Sequence, residues 1–212
     1  MFGIHDLALF VVSGLLLNIM PGRDSLLIMT CSATQGWRAG CAAALGIGTG
    51  TFVHIFAAAL GLSAVLATSA AAFTAVKLVG AAYILWMAFG LLRSKKHGSA
   101  AAQPRAVPPL PYRKIFAQGF FTNVLNPKVA LFFLAFVPQF ISADAPDKAL
   151  AFIILGCIFN INGTVWCNAL ALLTAGASAR LKVNPIVSLW LNRVTGSLFV
   201  WLGIKLALSK QH

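Results

Sequence analysis

The chain has 212 residues, 59% hydrophobic and only 9% charged, with 16 Lys+Arg against four Asp+Glu for a formal charge of +12. Soluble domains carry about 25% charged residues, so this composition excludes an ordinary cytosolic enzyme and a disordered chain alike. A membrane helix uses ~20 apolar residues to cross a ~30 Å hydrocarbon core, and the apolar content suffices for about six crossings.

The apolar runs and their polar breaks predict an all-α membrane protein with spans at about 5–30, 39–67, 70–92, 114–141, 149–177 and 186–208. The opening MFGIHDLALFVVSG lacks the positive region of a secretory leader, and its apolar run continues past any cleavage point, so it reads as a retained first helix. Inside that span Pro21 lacks a backbone donor and clashes with the carbonyl of Leu17, while Gly22 tolerates the resulting backbone; the helix is expected to break there. The 38 uncharged residues between Arg38 and Lys77 would reach ~57 Å as one straight helix, too far for a single crossing. They are expected to form a hairpin turning near Thr68 and Ser69. GIGTGT at 46–51 lacks the third glycine of a dinucleotide fingerprint, whereas Gly46 and Gly50 form a GxxxG suited to close helix packing.

After the third span, residues 94–113 are rich in Pro, Ala and charge and read as a solvated linker; its PPLP serves as a plain tether or docks a partner domain. In the fourth span Pro127 repeats the break, this time against the carbonyl of Asn123. Basic residues cluster in alternate loops. Arg38 lies in the first, Arg93, Lys95, Lys96, Arg105, Arg113 and Lys114 flank the third, and Arg180 and Lys182 occupy the fifth. The positive-inside rule makes those loops cytoplasmic and puts both termini outside. The basic excess is thus a topology signal, and no nucleic-acid partner is expected.

Three segments recur in order. Residues 13–23 align with 118–128, matching Gly14 with Gly119, Asn18 with Asn123 and Arg23 with Lys128; 45–60 align with 155–170, and 77–83 with 193–199. Three spans per half is an odd number, so the second half enters from the opposite side. The expected organisation is a 3+3 inverted repeat, with 1–93 as the first unit, 94–113 as a cytoplasmic linker and 114–212 as the second.

Proline breaks at corresponding places of two halves point to a binding site, since freed carbonyls must meet a side chain, a neighbouring helix or water rather than lipid. Asn18, Pro21, Gly22, Arg23, Asp24, Asn123, Asn126, Pro127 and Lys128 are the candidate substrate-binding residues. Asp24 is the only acid well inside a predicted span. It either caps the second half-helix or serves as proton carrier and anchor for an ammonium group. His54 is a proton relay or a hydrogen-bonded core histidine. Arg23 pairs with Asp24, snorkels to the interface or binds a carboxylate; Lys128, near the middle of its span, is the better buried counter-charge. Lys77 and Arg193 read as interfacial anchors, and Asn160 and Asn162 add amides to the fifth span. Cys31, Cys41, Cys157 and Cys167 form no CxxC or zinc spacing and read as buried small hydrophobes. No metal, cofactor or enzymatic activity is expected.

These residues resemble the lysine exporter and homoserine/threonine resistance (LysE/RhtB) family along nearly the whole chain. The segments that carry the resemblance are PGRDSLLIM (21–29), SATQGWRAGCAAALGIGTG (32–50), KLVGAAYILWMAFGLLRS (77–94) and GFFTNVLNPKVALFFLAFVPQF (119–140). It implies six spans in the bacterial inner membrane and efflux of amino acids or related metabolites driven by the proton gradient. The family's first motif usually reads PGP followed by Asn or Asp; here Arg23 replaces the second proline, which suits a neutral amino acid better than a cationic one. The expected function is therefore secondary active export of a small amino acid by proton antiport, from a site between the two interrupted helices. The alternatives are a metal-ion exporter, a membrane thiol oxidoreductase or a non-transporting membrane subunit. A homodimer through GxxxG pairs at Gly36/Gly40 and Gly46/Gly50 is permitted but not required.

Overall fold

Among the described residues the apolar runs fold as helices, and the first and fourth bend where the sequence supplies proline, glycine and asparagine. The computed structural model describes residues 2–20, 22–63, 70–93, 109–142 and 144–176, with further helical positions between 189 and 204. Helices α1 (Leu7–Ile19) and α2 (Arg23–Gln35) meet at 53° across the first break. Pro21 itself lies outside the described residues. α2 continues five residues past the expected end at 30, because nothing breaks the helix before Gly36. Gly36 stops it with a φ of +82°, a conformation that favours glycine.

α3 (Trp37–Ala57) runs into a wider π turn over Ala58–Leu62. α4 (Ala70–Leu92) coincides with the third predicted span. α5 (Tyr112–Val124) and α6 (Pro127–Leu131) bracket the second break, and α6 passes through a π turn at Phe132–Phe136 into a 3-10 turn at Val137–Phe140. The two arms differ in direction by 45°. α7 (Lys148–Gly176) starts where the Asp147 carboxylate accepts the amide of Leu150 at 2.9 Å. Among the described residues there is no strand, only an isolated bridge between Ile4 and Ile141, which ties the amino-terminal segment to the end of the 3-10 turn.

Two continuous helices, Trp37–Leu62 and Lys148–Gly176, are long and apolar enough to cross a membrane. Each bent pair taken as one span brings the number to four among the described residues. The expected turn near Thr68 and Ser69, most of the 94–113 linker and much of the sixth span fall outside them.

Two apolar clusters pack at opposite ends of the helices. One is rich in aromatic rings and joins Phe10 of α1, Ile55 of α3, Phe132, Phe133 and Phe136 of the α6 arm, and Phe152 and Phe159 of α7. Phe132 stacks on Phe159 at 4.4 Å and on Phe136 at 4.9 Å, and such pairs add ~0.5–1.5 kcal/mol each beyond their burial. The other cluster is built of smaller side chains: Ile28 and Cys31 of α2, Ala39, Ala43 and Ile47 of α3, Ile115 of α5 and Ala171 of α7. Early α3 thus meets late α7 and late α3 meets early α7, so these two helices are antiparallel.

Glycines set the spacing of α3 and α5. Gly46 packs on the backbone of Phe116, and Gly119 on that of Ala43. A methyl group at Gly50 would lie 2.8 Å from the Phe120 carbonyl and 3.0 Å from Asn123 Cβ. Gly40 is likewise filled from within the chain, by Ser32 and Ala171, so Gly40, Gly46 and Gly50 of the GxxxG pairs serve packing inside one chain. Gly119→Ala is expected to push α5 off α3 and destabilise the fold by ~1–3 kcal/mol, read as a lower unfolding temperature in detergent. An unchanged transition would contradict the backbone contact.

Candidate functional site

The carbonyls released by the two breaks are answered across the molecule. At the first, the Leu17 carbonyl accepts the Lys128 ammonium at 3.1 Å. At the second, the Asn123 carbonyl accepts the amide of Asn126 at 2.8 Å and lies 3.1 Å from His54 Nε2. A carbonyl only accepts, so His54 carries its proton on Nε2. The carbonyl at each proline break is thereby met by a side chain from another helix, as the absence of water in a membrane demands.

Asparagines tie the two bent helices together. Asn126 caps α6 by accepting the Lys128 amide at 3.0 Å on its Oδ1 and donates from Nδ2 to Asp24 Oδ2 at 3.1 Å. Asn123 donates from its own Nδ2 to the same Asp24 oxygen at 3.1 Å, while its Oδ1 lies 3.3 Å from the Thr51 hydroxyl. Asn123 thus joins α2, α3 and α5 through one buried side chain.

The expectation that Asp24 caps α2 is corrected here. The capping position is Gly22, no side-chain cap bond forms, and Asp24 sits two residues further on, in the first turn. Its carboxylate turns to the two amides instead, which together offer more than one backbone donor would. The placement still favours the positive end of the helix. Lys128 does not pair directly with it; among the described residues no cation lies within ion-pair distance of Asp24.

Two buried polar atoms here lack a partner, Asp24 Oδ1 and Asn18 Nδ2. Both residues line a cavity between the two apolar clusters, with Thr51, Asn123, Lys128 and Asn160 as further polar walls and Phe159 and Val129 as apolar ones. The cavity leaves about 30 Å³ for the centres of water-sized molecules, room for about two or three waters, since each needs ~10–15 Å³ on that measure.

Of the residues singled out in the sequence, Asn18, Asp24, Asn123 and Lys128 meet at this cavity. Asn126 stands behind Asp24, and Gly22 lies beside the Lys128 ammonium, 3.5 Å from where a methyl group would sit. Pro127 opens α6 and is exposed. Arg23 is exposed and faces a separate groove. His54 lies behind Asn123, stacked on Phe133 at 6.3 Å, and does not line the cavity. Thr51, Thr164 and Cys167 do line it without having been singled out for that role. For Thr51 the signal was available: Ala44, Gly48 and Thr51 recur at helical spacing on one face of α3. Cys167 gave none, because a thiol in an apolar run looks the same whether it faces a cavity or a neighbouring helix. The described cysteines are all free thiols, and among the described residues no three His, Cys, Asp or Glu side chains gather as a metal site would require.

Comparison with known proteins places this geometry in context. The model of the LysE type translocator family matches residues 15–210. The chain belongs to that family. As a LysE type translocator it is similar to the homoserine/homoserine lactone efflux protein of Salmonella typhi, with 31% identity over 96% of each chain. It shares the same 31% identity with the protein of that name from Salmonella typhimurium. It is also 30% identical to the uncharacterized membrane protein YrhP of Bacillus subtilis, over 97% of this chain and all of that one. No solved structure matches it.

Removing the hub amide should test how this translocator is held together. Asn123→Ala leaves Asp24 with one donor and the Thr51 hydroxyl with only the Ile47 carbonyl of its own helix, an expected loss of ~1–3 kcal/mol. Asn18→Ala, which deletes an amide whose nitrogen is already unpartnered, should cost clearly less. Thermal unfolding of the two variants in detergent checks the order.

Proposed function

We propose that this LysE type translocator exports a small amino acid or related metabolite from the cytoplasm, binding it between the two broken helices. The observation that carries the reading is the pair of unpartnered buried atoms, the Asp24 Oδ1 acceptor and the Asn18 Nδ2 donor, on one cavity with the Lys128 ammonium. A zwitterion brings the complement. Its ammonium group meets Asp24 Oδ1, and its carboxylate meets Asn18 and Lys128. The relatives named as homoserine/homoserine lactone efflux proteins support the same class of solute.

The way Asp24 is held supports proton antiport. Its Oδ2 is already occupied by the amides of Asn123 and Asn126, which leaves Oδ1 as the one place for either a proton or the solute's ammonium. The two compete for a single oxygen, so loading one releases the other. His54, bonded to the Asn123 carbonyl, adjoins this network as a relay.

The architecture we infer is six spans in the bacterial inner membrane, arranged as an inverted repeat with both termini outside. The bends of 53° and 45° at corresponding breaks support the repeat, and the alternate basic loops support the orientation. A cavity with room for about two or three waters cannot enclose an amino acid. Binding therefore requires one of the two apolar clusters to part, which is what exposure of a midplane site to one side at a time entails.

Two measurements in proteoliposomes test the reading. Asp24→Asn is expected to abolish efflux of labelled homoserine driven by a pH gradient; undiminished efflux would remove Asp24 from coupling. Lys128→Gln should raise the KM for the same solute by roughly 10-fold or more, the equivalent of one charge-assisted hydrogen bond. An unchanged KM would take Lys128 out of carboxylate binding.

A further inference from the structure

Arg23 and Asp24 are consecutive residues that face different spaces. Asp24 lines the central cavity, whereas Arg23 lies in a groove of about 580 Å³ between α2 and α5. Lys114 stands towards the start of that groove, Gln118 and Thr122 follow along α5, and Phe121 and Leu125 supply apolar wall. Arg23 and Lys114 are both exposed, and among the described residues no acid lines the groove and Arg23 makes no polar contact. Lys114 and Leu125 are eleven residues apart, so the groove follows α5 for ~16 Å. Arg23 opens α2, twelve residues or ~18 Å from its far end at Gln35. That depth is about half of a ~30 Å hydrocarbon core.

A guanidinium at such a depth is tolerated where it meets water or an opposite charge. The groove offers room for the first and an open place for the second. Two cations without an acid form a field that attracts carboxylates and turns a zwitterion carboxylate-first. From Arg23 the central cavity is one residue away, on the other side of the first turn of α2.

We propose that this groove is a cytoplasm-facing capture site in which Arg23 receives the carboxylate of the amino acid before the solute enters the central cavity. The inference rests on the efflux reading and on the orientation given above. Arg23 guides and selects, while Asp24 and Lys128 bind and couple.

The test compares solutes with and without a free carboxylate: threonine against threonine methyl ester, which keeps the hydroxyl, and homoserine against homoserine lactone, in which the hydroxyl and the carboxyl are both tied into the ring. Uptake into inverted proteoliposomes is measured for wild type, Arg23→Gln and Arg23→Lys. Arg23→Gln is expected to raise the KM for the free acids by about fivefold, as for one exposed charge pair, and to leave the lactone and ester within about twofold. Arg23→Lys restores the charge and should recover most of the loss, which a structural defect would not. Equal changes for acid and ester, or no change for either, overturn the proposal. So does an Arg23→Gln effect that vanishes in vesicles of phosphatidylcholine alone but returns with phosphatidylglycerol, since the groove would then be a lipid headgroup site. Wild-type vesicles that move none of the four compounds would instead overturn the efflux reading for this solute class.

Discussion

A proline inside a membrane helix leaves a carbonyl that neither water nor lipid can satisfy, and the core of this protein is arranged around answering two of them. Lys128 crosses from the second bent helix to the Leu17 carbonyl of the first. Asn126 and His54 meet the Asn123 carbonyl of the second. The first answer fixes the position of a cation, and the second sets the asparagine whose side chain then holds Asp24. Charged and amide groups that would be costly anywhere else in hydrocarbon are thus required here by the backbone. The solute site we propose needs little beyond this, because the polar groups are already gathered and one atom on each of Asp24 and Asn18 is left over.

The apolar clusters on either side of that polar layer differ in material. Phenylalanines on α1, the α6 arm and α7 interlock on one side. Alanines, isoleucines and a cysteine on α2, α3, α5 and α7 close the other. Parting small side chains exposes less apolar area than parting stacked rings, at ~25 cal/mol per Å². The small-residue side is therefore the easier to open, and it is the end at which α2 finishes and α5 begins. The groove that contains Arg23 lies between those same two helices. Close glycine contacts between α3 and α5 keep that side thin enough for α5 to bring Asn123 to Asp24.

Much of this could be read in the residues. Pro21 and Pro127 announced two breaks because a missing amide and a ring clash are local facts, and the helices bend at those places. Asn18, Asp24, Asn123 and Lys128 stood out because polar groups are rare in such apolar runs. What could not be read was the partner each would choose. Asp24 was equally suited to capping its own helix, and only the approach of α5 and α6 decides for the asparagines. Arg23 and Lys128 hold matching places in the repeat proposed from the sequence, yet one faces an open groove and the other the cavity. Direction around a broken helix is set by the angle of the break, and sequence spacing does not encode that angle.

On the proposed exchange, the charge carried by the solute decides which force drives it. An amino acid leaves as a neutral zwitterion while one proton enters, so each cycle moves one positive charge inward. The membrane potential then adds ~2.3 kcal/mol per 100 mV to whatever the pH difference supplies. A lactone or ester that leaves as a cation against one proton moves no net charge and draws on the pH difference alone. With the Asp24 carboxylate facing the Lys128 ammonium across the cavity, a bound zwitterion adds one charge of each sign and keeps the pocket balanced. A cationic solute leaves the lysine without a counter-charge. Both effects favour the free amino acid, and both arise because the pocket sets one acid against one base.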